Sequence, residues 1–146
     1  MKVVIQRTKR SSVKVDGKIV GSINNGLTVL VGFKIDDTSK QIDYMVNKII
    51  NLRIFDDENG VMNKSLLDVN GDILSISQFT LYGDTRKGRR PSYTLSHRDA
   101  SPLYDEFNKK LKEFTNVETG IFGSDIEVEL INDGTVTIII DTDDVK

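Results

Sequence analysis

The sequence predicts a single mixed α/β domain of many strands and two helices, with two sheets and the helices on one outer face. Three observations carry this expectation. Apolar residues alternate with polar ones around Asp16-Gly17 and again from Ile126, the period of half-buried strands. Two stretches, 37–51 and 101–114, instead repeat their apolar residues at helical spacing. No linker, low-complexity segment or repeat divides the 146 residues, so one core is expected.

Taken in order, residues 2–6 read as a first strand, with Arg7, Lys9 and Arg10 at its end. Ser12 to Ile23 reads as a hairpin around Asp16-Gly17, since that dipeptide supplies the positive φ such a turn needs. The nearly unbroken apolar run LTVLVGF suits a strand covered on both faces. Asp37, Thr38 and Ser39 offer N-caps for a helix to about Asn51, whose inner face is Ile42, Met45, Val46, Ile49 and Ile50. Leu52 to Phe55 is a short strand, followed by the polar turn 56–60. Ser101-Pro102 opens the second helix, with Leu103, Phe107, Leu111 and Phe114 on one face. The last third is β: Ile126, Val128 and Leu130 alternate with glutamates, Asn132-Asp133-Gly134 turns the chain, and VTIII follows as a strand covered on two sides.

Composition narrows the chemistry. There is no cysteine, hence no disulfide, thiolate nucleophile or zinc–thiolate site. The sole histidine, His97, reads as a surface group or phosphate contact with no pairing to Ser77 or Thr80, so a serine triad is not expected. The acidic turn 56–60 lacks histidine neighbours and calcium-loop spacing, so no metal is expected. No apolar run reaches the ~20 residues of a membrane helix. A strand-like MKVVIQR in place of a signal peptide points to a cytoplasmic protein without membrane association. Net charge is −2, yet the charge is unevenly spread. Between Asp84 and Arg98 five basic residues face one acid, whereas Ser124 to Lys146 holds seven acids and one lysine. Any RNA partner is therefore expected at the basic loop, not over a general basic surface.

That loop completes the stretch around which the sequence is organised, ILSISQFTLYGDTRKGRRPS at 73–92. Continued alternation places Gln78 and Thr80 on the face begun by Leu74 and Ile76. An apolar stripe that ends in an amide and a hydroxyl, then Arg86, Lys87, Arg89 and Arg90, suggests a pocket for an anionic substrate. The plainer alternative is a strand end and turn that merely reach solvent.

SQFTLYGD followed by RKGRRPS resembles the SQ-x-TL signature of the D-aminoacyl-tRNA deacylases. VETGIFGSDIEVELINDG-x-VT resembles that family's second motif, and IQR and RIFDDENGVMN read like it too. The resemblance spans essentially the whole chain. It implies a three-layer β/β/α sandwich working as a homodimer, without cofactor. The implied activity is hydrolysis of the ester between a D-amino acid, or glycine, and the tRNA 3′ end.

Carried over position by position, the resemblance implies that Ser77, Gln78, Phe79 and Thr80 line the catalytic site. Thr80 is then either a nucleophile or a positioning group beside the tRNA's own 2′-hydroxyl, with backbone N–H groups as the oxyanion hole. The lack of a local base favours positioning. Arg86, Lys87, Arg89 and Arg90 are expected at the tRNA acceptor end. A non-catalytic RNA-binding domain, stacking Tyr82 or Tyr93 on a single-stranded end, is the alternative from another class. Asn132, Gly134, Val136 and Thr137 match the family's N-x-G-P-V-T turn, but Thr135 replaces its proline. In the family the Gly-Pro bond is cis and its carbonyls enter the partner's pocket to exclude an L side chain, steadied by the arginine matching Arg7. Threonine adds on the order of 2–3 kcal/mol to a cis bond, so a trans bond and relaxed chirality are expected unless packing imposes the cis form. Without the resemblance, Asp133-Gly134 would read as an ordinary hairpin turn.

Overall fold

The computed structural model describes residues 1–93 and 100–145. Its spine is β1, Lys2–Val15, which runs straight through the basic stretch where the sequence suggested an end. The expected first strand and the first arm of the hairpin are one element. β1 continues because its buried positions, among them Val3, Ile5, Arg7, Thr8, Ser11 and Val13, give both of its halves a core face. Its first half pairs with β3, Gly26–Gly32, from Lys2↔Gly32 to Thr8↔Gly26. Its second half pairs with β2, Lys18–Ile23, through the Asp16-Gly17 turn, where both residues have positive φ. The opposite edge of β1 is taken along its whole length by β8, Glu127–Asp141. β3 continues in parallel to β6, Asp72–Ser77, and β6 to β7, Val117–Thr119.

One hydrogen-bonded mixed sheet thus supplies two layers. Between its two parts lie Val13, Ile23, Leu74 and Ile76, with Leu30, Ile126 and Val128 against them. The larger core lies between the sheet and the helices α1, Ser39–Asn51, and α2, Ser101–Lys112. Alternation sorts the strands between these cores. Leu27, Val29, Val31 and Ile73 face the helices, whereas Leu30, Leu74 and Ile76 face the other sheet layer. Both faces of β6 are therefore buried, and its last residue opens at the rim.

α1 has the expected inner face, Ile42, Met45, Val46, Ile49 and Ile50. Thr38 is the cap: its backbone N–H donates to Gln41 Oε1 at 2.8 Å and its hydroxyl accepts from Lys40 N at 3.3 Å. Asp37 instead accepts from the Met1 ammonium at 2.9 Å in a fully buried pair. In α2, Tyr104 joins Phe107 and Leu111 in the core, while Phe114 lies beyond the helix end and is exposed. The strand expected at Leu52 to Phe55 reduces to β4, Phe55–Asp56, which turns through 57–60 and pairs with β5, Met62–Lys64. The turn expected at Asn132-Asp133-Gly134 does not reverse the chain. Asn132-Asp133-Gly134 bulges from an unbroken β8: Thr8 faces Asn132 and Gln6 faces Thr137, so the extra residues loop out opposite Arg7. Ile139 in VTIII is 67% exposed, so this strand is covered on one side only.

Candidate active site

β6 ends at Ser77, earlier than the alternation suggested. Gln78 N donates to Val31 O at 2.8 Å, the last bond to β3, and Phe79–Tyr82 then winds into a single 3-10 turn. Gly32 permits this turn to sit close, since a Cβ there would lie 3.1 Å from Gln78 O and 3.2 Å from Leu81 Cβ. The change of period moves Thr80 off the strand face. Gln78 is half-buried and Thr80 is exposed, which corrects the expectation of a buried pair. The two remain joined, because Gln78 Nε2 donates to Thr80 Oγ1.

Ser77, Gln78 and Phe79 form one wall of a cleft of about 240 Å³. Ile76, Tyr104 and the segment from Gly120 to Ile126 form the rest. Tyr104 and Phe122 lie against each other at 5.7 Å between ring centroids. Tyr104 is fixed by its hydroxyl, which donates to Ser75 O at 2.8 Å, and burial pushes that phenol's pKa up, keeping it protonated. The cleft is therefore an aromatic surface with amide, hydroxyl and backbone groups at its rim. Asp125 is the one carboxylate among its lining residues. The segment 120–126 appeared in the sequence only as part of a motif. Its place opposite Ser77 depends on β7 pairing with β6, and a three-residue strand carries no periodic signal.

The basic loop follows directly. Asp84 and Ser92 exchange backbone hydrogen bonds at 2.8 and 3.0 Å, closing a turn in which Gly88 has φ +64°. Arg86, Lys87, Arg89 and Arg90 are all exposed. They are not equivalent: Arg86 is clasped by Asp84 through contacts of 2.9 and 2.7 Å, and that partnership pulls the Asp84 pKa down to about 2. Tyr93 packs edge-on against Phe79 at 5.1 Å and keeps 43% of its surface exposed, whereas Tyr82 is half-buried with the Lys2 ammonium 4.9 Å from its ring centre. His97 and Arg98 lie outside the described residues.

The other expected group gathers around the β8 bulge. The Gly134–Thr135 peptide bond is cis, where the sequence leads one to expect trans. Packing holds the segment at both ends. Asn132 Oδ1 accepts from Val136 N at 3.0 Å and Asn132 Nδ2 donates to Thr137 Oγ1 at 2.9 Å. Arg7 Nε donates to Asp133 O at 3.1 Å. Gly134 and Thr135 themselves face solvent. None of Arg7, Asn132, Gly134 or Thr135 lines the cleft at Ser77.

Fold and cleft together define a small domain of mixed α/β architecture with a polar-rimmed cleft at a strand end. Residues 4–141 match the D-Tyr-tRNA(Tyr) deacylase family, and the chain belongs to it. The activity that goes with this membership is hydrolysis of the ester between a D-amino acid and tRNA, a proofreading step in translation. The chain is also similar to a solved structure described as c-Myc DNA Unwinding Element Binding Protein. The two are 38% identical, with 97% of this chain and 99% of that one covered and a TM-score of 0.92. A second structure, of a probable eukaryotic D-amino acid tRNA deacylase, is 19% identical over 95% and 97% of the two chains, with a TM-score of 0.80, and shows the same fold. Among the described residues, no helix is long and apolar enough to cross a membrane.

Proposed function

We propose that this chain cleaves D-aminoacyl-tRNA at the Ser77–Thr80 strand end, with the terminal nucleotide in the adjoining cleft and the acceptor stem on the basic loop. The observation that carries the reading is Gln78, which lines the cleft and donates to Thr80, itself outside the cleft lining. Among the described residues Thr80 Oγ1 has that amide as its sole partner, and the amide donates to it. A donor cannot take the hydroxyl proton, so Thr80 is not prepared as a nucleophile. Its own proton is left to orient the substrate. An aminoacyl ester is already activated, and positioning its 2′-hydroxyl or a water against backbone N–H donors is sufficient chemistry. Glycyl-tRNA, with no side chain to exclude, fits the same site.

The bulge at Gly134 lies away from this cleft and exposes its backbone, which supports a homodimer in which it enters the partner's site and excludes L side chains. Ile131 and Ile139, 40% and 67% exposed on β8, offer the apolar surface for such contact. The setting is the cytoplasm, where aminoacyl-tRNA is found.

The test is loss of the ester from D-tyrosyl-tRNA on mixing with purified protein, beside light scattering at micromolar concentration. Turnover by a dimer is expected. Binding of the tRNA 3′ end without turnover would convert the reading to a non-catalytic RNA-binding domain that stacks on Tyr93. Full activity from a monomer would remove the partner's role.

A further inference from the structure

Arg7 holds the bulge, but a buried guanidinium needs its own positioning. Arg7 is 6% exposed and its contacts come from two directions. From the β8 side come Asp133 O on Nε at 3.1 Å and Asp133 Oδ2 at 3.6 Å. From the β4 side come Ile54 O on Nη1 at 2.8 Å and Asp56 Oδ1 on Nη1 at 3.2 Å. The remaining nitrogen, Nη2, packs on Gly134 so closely that a Cβ there would sit 2.6 Å away. A planar fork fixed by two acceptors on Nη1 cannot swing away from Gly134 without breaking them.

We propose that Asp56, on the short hairpin β4–β5, is a positioning residue for discrimination between D and L substrates, acting through Arg7 on the Asp133–Gly134 backbone. This rests on the reading that the bulge excludes L side chains. Asp56 never reaches the substrate. Its carboxylate, half-exposed at the side chain, sets which rotamer the arginine keeps. The sequence hid this role, because Asp56 opens a run of acids that reads as a solvated turn.

The experiment compares initial deacylation rates on D- and L-tyrosyl-tRNA for the parent, Asp56→Ala, Asp56→Asn and Gly134→Ala, with thermal unfolding of each. For Asp56→Ala the D/L rate ratio is expected to fall about three- to fivefold, the worth of a partly exposed ion pair. Asp56→Asn, which keeps an acceptor oxygen, should restore part of that loss. A ratio within about 1.5-fold of the parent for Asp56→Ala, while Gly134→Ala lowers it, would overturn the role of Asp56 and leave the bulge's role standing. An unchanged ratio in both variants would overturn the exclusion reading and this inference together. A lower melting temperature with an unchanged ratio means Asp56 is only structural, and counts against the proposal.

Discussion

The strand end at Ser77–Thr80 and the bulge at Asn132–Thr137 are both polar interruptions of packed strands, and they are held in opposite ways. β6 is buried on both faces up to Ile76, then releases its chain into a 3-10 turn whose polar side chains bond mainly to each other. The bulge projects into solvent, yet Arg7 and Asn132 fix it from both sides. On the proposed reading, the polar groups at the strand end are left to be organised by the substrate. A group whose task is to exclude has to be rigid before the substrate arrives, since an obstacle that yields discriminates poorly.

The sharpest way to break this comparison is at the strand end. Gln78→Ala removes the amide that, among the described residues, partners the Thr80 hydroxyl, and with it part of a cleft wall. Single-turnover rates on D-aminoacyl-tRNA should drop about a hundredfold, the usual cost of one positioned polar group, with the unfolding transition unmoved. Thr80→Ala should lose less, about tenfold, because positioning survives in part. Parent-like rates in both would remove the site from this strand end.

Next comes the bulge. Gly134 has φ +122° and no room for a Cβ against Arg7 Nη2. Gly134→Ala should therefore cost on the order of 1–3 kcal/mol in backbone strain alone. Its D/L rate ratio should fall about tenfold or more as the arginine is displaced, with a smaller change in the rate on D substrate. Equal losses on both substrates would mean that this region supports the fold and not selection.

Two smaller effects sharpen the picture of the loop. Neutralising Arg89 and Arg90 together should weaken tRNA binding without regard to sequence and flatten its salt dependence by roughly one unit of slope per lost phosphate contact. Arg86→Gln should change the slope less, since Asp84 already occupies that guanidinium. The pH signature is smaller still. The Asp84 pKa is lowered to about 2, so the clasp is intact above the ordinary carboxylate range and is lost only as pH falls through about 2. A carboxyl titration followed by NMR should show that midpoint in the parent. In Arg86→Gln it should move back up toward ordinary aspartate.

How much of this was legible depended on the length of each signal. α1 was readable to its last buried residue, because thirteen residues carry several turns of a 3.6-residue period. β1 was cut in two because Arg7, Lys9 and Arg10 look like a loop. Arg7 is in fact an interior residue with acceptors supplied from residues 54, 56 and 133, which no local pattern reveals. Asn132-Asp133-Gly134 carries the chemistry of a tight turn, and only the partner strand shows that the chain resumes its direction. Ser77 and Gln78 were marked by composition and motif, and the structure places both on the cleft. The opposing wall at 120–126 was hidden, since parallel pairing of β6 with β7 brings together segments some forty residues apart.

The pairing of β1 with β8 has a consequence for how the chain is made. Lys2 is matched with Asp141, so one whole edge of the first strand has no partner until residues 127–141 have left the ribosome. Contacts of such sequence separation slow folding, and an unpaired strand edge is open to foreign strands meanwhile. Lys9 and Arg10 are exposed on this strand, and charge on an unpaired strand disfavours its pairing with foreign ones. Replacing both with valine should show first as aggregation during synthesis, at a stage when catalysis does not yet exist.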